Sequence, residues 1–376
     1  MRLHMSRLLA ASFLLTMLCF VWLFNTLHRP SDSSVVNGEK LVVAKAIEHI
    51  VRRTFVSLAP SPAVNRLEAA PTKTIMKTKT EDSSRSSAPV SSNRIPYILH
   101  QTWITDTIPA TYVPFVKSWL PHNPPLDYYY WTDAKSVQFV AKHYPHLLAM
   151  FKGYKAHLNR ADSIRYMLLH HYGGVYADMD MMRLRDLSPL LNSTQELCYL
   201  SQERYEITRL YWGLNSSVMN AIMLSSPGHQ FMEFVVNSLP KYAHHSPNVM
   251  ESTGPFFLQN VYNEFVRSPP CRLSEPRCRC AVADPYLFMP QIDPIRIPNF
   301  RAKCSSRGGL ASNAREACSM LDKINWQNDI QVIGKNSYTH HGFLHYGFEN
   351  QRLKFSSEAD IGSVRQGKKI FGVDFY

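Results

Sequence analysis

Two carboxylates one residue apart, Asp178 and Asp180, close the short apolar run Gly173-Gly174-Val175-Tyr176-Ala177. Read as a strand end, the run turns alternate side chains to opposite faces, so both acids are expected on one face. Paired carboxylates repel unless something positive lies between them, and a divalent cation is the usual partner. The chemistry predicted is metal-assisted work on a phosphate-bearing substrate. One element upstream, Asp162 and Arg165 stand at i and i+3 of a helix whose core face is Leu158, Ala161, Ile164, Met167 and Leu168. Alone they would read as an ordinary surface ion pair, worth little. Their place one short strand before the acids makes them site candidates.

The elements that must position these groups alternate in type. Arg94 to Trp103 reads as a first strand with polar and aromatic groups at its C-terminal end, the edge that lines ligand crevices in open α/β sheets. A helix follows from Pro109 to Trp119, closed by Pro121. Asp127 to Trp131 is an aromatic-rich strand, and Thr132 or Asp133 caps a helix over Ala134 to Tyr144 that Pro145 ends. Beyond the acids, Cys198 to Glu203 and Leu210 to Leu224 read as strands, and Pro227 opens a helix at its first turn. Ser252-Thr253-Gly254-Pro255 precedes a helix from Phe256 to Val266, where hydroxyls and N–H groups could hold an anion or sugar hydroxyls or simply cap the helix. Strand–helix alternation of this kind predicts an α/β fold with a mostly parallel sheet.

The chain carries 41 Lys+Arg against 29 Asp+Glu, a net charge of +12. Residues 1–94 hold 13 of those bases and 6 of the acids, so more than half of the excess lies outside the part that reads as folded. With no basic run resembling a groove, nucleic acid is not an expected partner. Leu8 to Leu27 is almost unbroken apolar sequence, long enough for a bilayer, preceded by Arg2, His4 and Arg7 and followed by no small-x-small cleavage site. The expectation is a cytoplasmic tail over 1–7, an uncleaved signal anchor over 8–27, and a flexible Ser/Thr/Pro-rich stem over 28–93 with a short helix between Leu41 and Phe55. The catalytic domain is expected over 94–350 and a C-terminal tail over 351–376. Such a type II layout places the domain in the lumen, as in Golgi-resident enzymes. Cys198, Cys271, Cys278, Cys280, Cys304 and Cys318 suit disulfides there, with pairing open, and zinc at Cys271, Cys278 and Cys280 is the weaker alternative. Most lie in a Pro-rich insertion over about 268–323. Asn192 and Asn215 begin glycosylation sequons, the second within the strand-like run and so expected to be buried.

Five motifs in order carry a resemblance: Ile98-Leu99-His100-Gln101-Thr102-Trp103, Tyr130-Trp131-Thr132-Asp133, Arg160 to Tyr166, Tyr172 to Asp180, and Ser226-Pro227-Gly228-His229. Together with His340-His341 they resemble the DXD-containing glycosyltransferases of family 32, most of all the inositol phosphoceramide mannosyltransferases. The resemblance implies a GT-A fold, Mn2+ or Mg2+, a nucleotide-sugar donor (GDP-mannose for the mannosyltransferases) and retention of anomeric configuration. It implies that Trp103 stacks on the donor base, Asp162 and Arg165 hold the donor sugar and phosphates, and Tyr176 packs by the ribose. It further implies that Asp178 and Asp180 serve ribose and metal, that His340 or His341 completes the metal shell, and that Asn220 lies near the donor sugar. The expected acceptor is a glycolipid such as inositol phosphoceramide. Transfer of galactose, glucose or N-acetylglucosamine to glycolipid or protein glycans, and a silent lectin-like protein, are the competing readings.

Overall fold

The structure is a computed structural model that describes residues 93–120, 125–243, 246–306, 308–323, 336–344, 358–364 and 370–371. All belong to the unit Asp82–Tyr376. The expected tail over 1–7, anchor over 8–27, Leu41 to Phe55 helix and stem lie outside the described residues, except for Asn93. Among the described residues no helix is long and apolar enough to cross a membrane.

The strands are β1 (Ile98–Thr102), β2 (Thr107–Pro109), β3 (Asp127–Trp131), β4 (Gly174–Ala177), β5 (Met181–Arg183), β6 (Cys198–Gln202), β7 (Val218–Ser225), β8 (Ala281–Val282), β9 (Thr339–His341), β10 (Glu358–Asp360) and β11 (Ile370–Phe371). Seven of them form one sheet in the order β11-β3-β1-β4-β7-β6-β8. Pairings within it are parallel except at β7, which runs antiparallel to both β4 and β6. The mostly parallel α/β sheet is therefore present. Two strands from the stretch read as a C-terminal tail take part in sheets: β10 pairs with β2, and β11 extends the main sheet beside β3.

Helices α1 (Asp133–His143), α2 (His157–Tyr172), α3 (Tyr205–Tyr211), α4 (Gln230–Tyr242), α5 (Val249–Ser252) and α6 (Pro255–Arg267) matter most for the site. The sheet lies between two buried clusters. Phe139, Ile164, Leu168, Phe231, Val235, Phe257 and Val261 meet Trp131, Tyr176 and Met223 on one face. Val175, Ala177, Ile222 and Leu224 face Val116, Trp119, Leu187 and Phe288 on the other. Tyr176 and its neighbours Val175 and Ala177 divide between the two, as strand alternation requires. Helix α1 starts where Thr132 Oγ1 accepts the Lys135 amide at 3.2 Å.

The Gly-Gly turn joins α2 to β4 because only glycine suits it. Gly173 and Gly174 have φ of +66° and +97°. A Cβ on Gly174 would lie 2.7 Å from the Ile98 carbonyl oxygen of β1.

Three local expectations need correction. Leu210 to Leu224 is not one strand: its start belongs to α3, where Ile207 and Leu210, three apart, pack with Phe300, Cys318 and Leu321. Only Val218–Ser225 is extended, so Asn215 sits exposed on the intervening loop instead of buried. Pro227 does not open a helix, since α4 begins at Gln230 with the His229 ring accepting the Phe231 amide at 3.2 Å. The cysteines form Cys198–Cys280, Cys271–Cys278 and Cys304–Cys318 disulfides, which overturns zinc at Cys271, Cys278 and Cys280. Next to the first bridge, β8 adds a strand to the main sheet, so the Cys-rich segment is partly built into the core.

Candidate active site

Asp178 and Asp180 lie just past β4, in a turn and not on the strand itself. The Asp178 amide donates to the Ala221 carbonyl at 2.8 Å, and the Met181 amide donates back to the Asp178 carbonyl at 2.9 Å. The turn, and not period-two alternation, is what brings the two acids together. Gln101 Nε2 steadies it from β1, donating to the Asp178 carbonyl at 3.3 Å.

Strand β9, paired with β5, supplies the third group. His341 Nε2 stands 3.3 Å from Asp180 Oδ1, and the Leu344 amide donates to Asp180 Oδ2 at 3.0 Å. Asp178, Asp180 and His341 each point one ligand atom inward, all within 4.8 Å of one another. Burial opposes the Asp180 charge, yet His341 and the Leu344 amide hold its carboxyl down at about 2. Burial likewise opposes the His341 charge, and Asp180 and Asp178 lift it to about 9. Burial pushes the Asp178 carboxyl above the usual range, against the pull of Arg165.

Helix α2 delivers the Asp162–Arg165 pair. Arg165 Nη2 is 3.0 Å from Asp162 Oδ1, and Arg165 Nη1 is 3.1 Å from Asp178 Oδ1. Nη1 also donates to the Asn220 carbonyl at 2.8 Å, and the guanidinium covers the Tyr176 ring at 4.6 Å. Both partners are buried, so this is not the surface ion pair that spacing alone would suggest. Asn220 Nδ2 donates to Asp162 Oδ1 at 2.9 Å, and Thr253 Oγ1 donates to Oδ2 at 3.2 Å. Desolvation raises the Asp162 carboxyl to about 6, with Arg165 acting the other way. Tyr176 OH donates to Asp178 Oδ1 at 2.8 Å, leaving its oxygen to accept from Thr102 Oγ1 at 3.0 Å.

Residues 109–197 match the family described as glycosyltransferase sugar-binding region containing DXD motif. Inositol phosphoceramide mannosyltransferase 3 of Schizosaccharomyces pombe is 36% identical over 179 residues, 46% of this chain and 47% of that one. The matched region is similar to the DXD-containing glycosyltransferases of family 32. Mannosyl phosphorylinositol ceramide synthase SUR1 of Saccharomyces cerevisiae is 34% identical over 191 residues, 50% of this chain and 47% of its own length. The chain thus spans about half the length of the relatives it matches. The solved PaToxG glycosyltransferase is 13% identical across 66% of this chain and 90% of that one, at TM-score 0.33.

The sheet has the expected mostly parallel α/β character, and the candidate site residues separate into those brought together and those that are not. Asp162, Arg165, Tyr176, Asp178, Asp180, Asn220 and His341 form one connected group. Trp103 follows Thr102 at the same sheet edge, half-buried, with its ring 4.9 Å from Tyr112. His340 is not brought to the two acids. Adjacent residues on a strand point to opposite faces, and its Nδ1 meets Gln291 Oε1 at 3.1 Å while its Nε2 meets Met182 Sδ at 3.2 Å. Asn159 was missed by sequence reasoning. It lies three residues before Asp162 and donates to Ser252 Oγ at 2.8 Å and Thr253 Oγ1 at 3.0 Å. The same i, i+3 spacing that singled out Arg165 would have found it.

Two carboxylates and one imidazole suit a divalent ion of the Mn2+ or Mg2+ type, with oxygen donors predominating. The residues present therefore fit the metal that the DXD motif implies.

Proposed function

We propose that the chain is a metal-dependent retaining glycosyltransferase that moves mannose from GDP-mannose to a glycolipid such as inositol phosphoceramide. We further infer a single-pass Golgi membrane protein with its catalytic domain in the lumen. The observation that carries the reading is the convergence of Asp178, Asp180 and His341 beside the Asp162–Arg165 pair. When bound there, Mn2+ or Mg2+ supplies charge neutralisation at the leaving diphosphate.

The residues account for the rest. Arg165, held between Asp162 and Asp178, orients a diphosphate-linked sugar, and orientation alone contributes several kcal/mol in rate. Asp162, pinned by Asn220 and Thr253, accepts from donor-sugar hydroxyls. Tyr176 keeps Asp178 in place. The bond from the anomeric carbon to the β-phosphate oxygen breaks as the acceptor oxygen bonds to that carbon on the same face. The acceptor proton passes to the departing phosphate oxygen.

The test uses the full chain in detergent with GDP-mannose, UDP-galactose, UDP-glucose and UDP-N-acetylglucosamine, each with Mn2+ or with EDTA. Hydrolysis or transfer is expected with GDP-mannose and Mn2+ only. It should be lost in Asp178→Asn and in Asp180→Asn while circular dichroism is unchanged. Full activity in both variants would sink the reading, and a preference for a UDP-sugar would replace the donor.

A further inference from the structure

Two partly buried aromatic rings belong to none of the buried clusters formed by the described residues. Trp212, which ends α3, and Phe256, in the first turn of α6, meet edge to face with ring centroids 5.2 Å apart. The next residue, Phe257, turns inward onto Tyr166 and Tyr242, so the start of α6 has one ring in the core and one outside it. Leaving an aromatic pair partly in water forgoes part of the burial such rings usually gain.

The position of the pair relates it to the site. Thr253, three residues before Phe256, donates to Asp162 Oδ2. Gln259, on the same face of α6 one turn later, accepts the Val218 amide at 2.8 Å, and Asn220, two residues along β7, donates to Asp162 Oδ1. The chain just before α6 thus holds Asp162 from one side, and β7, which α6 meets through Gln259, holds it from the other. Glu203 comes from the end of β6, with its amide donating to the Ser217 carbonyl at 2.9 Å and its Oε1 accepting the Arg204 amide at 2.9 Å. It sets a buried acid beside the start of β7. Tyr211 and Leu214, 43% and 39% exposed, extend the apolar surface outward from Trp212.

We propose that Trp212 and Phe256 form an acceptor subsite for a cyclic polyol, a sugar or an inositol ring, next to the donor-sugar carboxylate Asp162. The electron-rich ring faces take the C–H face of such a polyol, and a few polar groups at the rim set its orientation. This deepens the glycosyltransferase reading and rests on it for the acceptor role.

Saturation-transfer NMR on the full chain with GDP and Mn2+ tests the subsite, with methyl α-D-mannopyranoside and myo-inositol as probes. At least one probe should receive saturation on its ring protons. Trp212→Ala should weaken that binding about tenfold, whereas Trp212→Phe should keep most of it, and neither should move GDP affinity. Binding of the mannoside points to a glycan end as the acceptor, and binding of inositol to a lipid headgroup. If Trp212→Ala does not fold, Phe256→Leu reads the same contact. Failure of both probes to bind, or binding that is indifferent to Trp212→Ala and Phe256→Leu, overturns the subsite. Loss of GDP and Mn2+ binding with a Trp212-dependent polyol signal retained would instead overturn the transferase reading and leave a carbohydrate-binding site.

Discussion

Arg165 Nη1 stands 3.1 Å from Asp178 Oδ1 while the same guanidinium keeps its other amine 3.0 Å from Asp162 Oδ1. One planar cation thereby couples Asp162 to a carboxylate of the candidate metal group Asp178, Asp180 and His341. Its Nε also donates to the Ala161 carbonyl at 3.1 Å, which leaves little rotational freedom. Lysine offers a single ammonium in place of this fork. Arg165→Lys should therefore cut kcat/KM by about a hundredfold or more, on the scale of losing one charge-stabilising donor. Steady-state kinetics against donor concentration check this, and a change below threefold would show that the bridge is not needed.

The two C-terminal histidines should separate in metal affinity. His341→Ala removes one of three candidate ligands and should weaken Mn2+ binding by about ten- to a hundredfold, the range seen for disturbed metal shells. His340→Ala, directed at Gln291 and Met182, should leave Mn2+ affinity within about twofold. Calorimetric titration of the full chain with Mn2+ distinguishes them. Equal losses would return His340 to the site.

Acid stability should depend on His100. It is fully buried, with Nε2–H donating to the Gly173 carbonyl at 2.9 Å and Nδ1 accepting the Trp131 indole at 3.2 Å. Burial pushes its pKa from 6.5 to about 4. A histidine depressed on folding gives stability that is complete above 6.5 and is lost as pH falls through 4, because the unfolded chain takes up the proton first. The slope in that window is up to about 1.4 kcal/mol per pH unit. Urea unfolding of His100→Gln between pH 7 and 4 should show a shallower decline by about that amount. Parallel declines would mean that His100 is charged in the folded protein.

Gly174 should not tolerate alanine. Its φ of +97° is strained for any L side chain, and the added Cβ would meet the Ile98 carbonyl oxygen at 2.7 Å and Ile98 Cβ at 2.9 Å. Gly174→Ala should lower stability by about 2–4 kcal/mol through backbone strain and displacement of β1 from β4. Denaturant unfolding measures it. Because Asp178 follows four residues later, metal affinity should fall as well.

Much of the frame was legible because its signals are local. The aromatic run Asp127 to Trp131 is strand β3 as read, and the helical spacing from Leu158 is α2. Of the two caps open for α1, Thr132 or Asp133, it is Thr132 that accepts the helix amide. The failures share a cause. Leu210 to Leu224 is rich in apolar residues at both ends, and periodicity cannot assign such a run until the surface that each half buries is known; Gly213 and Asn215 to Ser217 mark the break. Asp178 and Asp180 were rightly paired for a partly wrong reason, since a turn and not a strand face aligns them.

By itself the sequence determined relations within about one turn or one strand: the Asp162–Arg165 spacing, the Gly-Gly junction, and two acids one residue apart. Residues that close are tied by fixed covalent geometry and by the periods of helix and strand. Only the tertiary structure decided that His341 and not His340 faces Asp180, which cysteines pair, and that Thr253 reaches Asp162 across 91 residues. Those contacts depend on sheet order and on the path of the loops, which no local period encodes. The strand pairing of β5 with β9 is what carries a histidine from the C-terminal region to the two acids beyond β4.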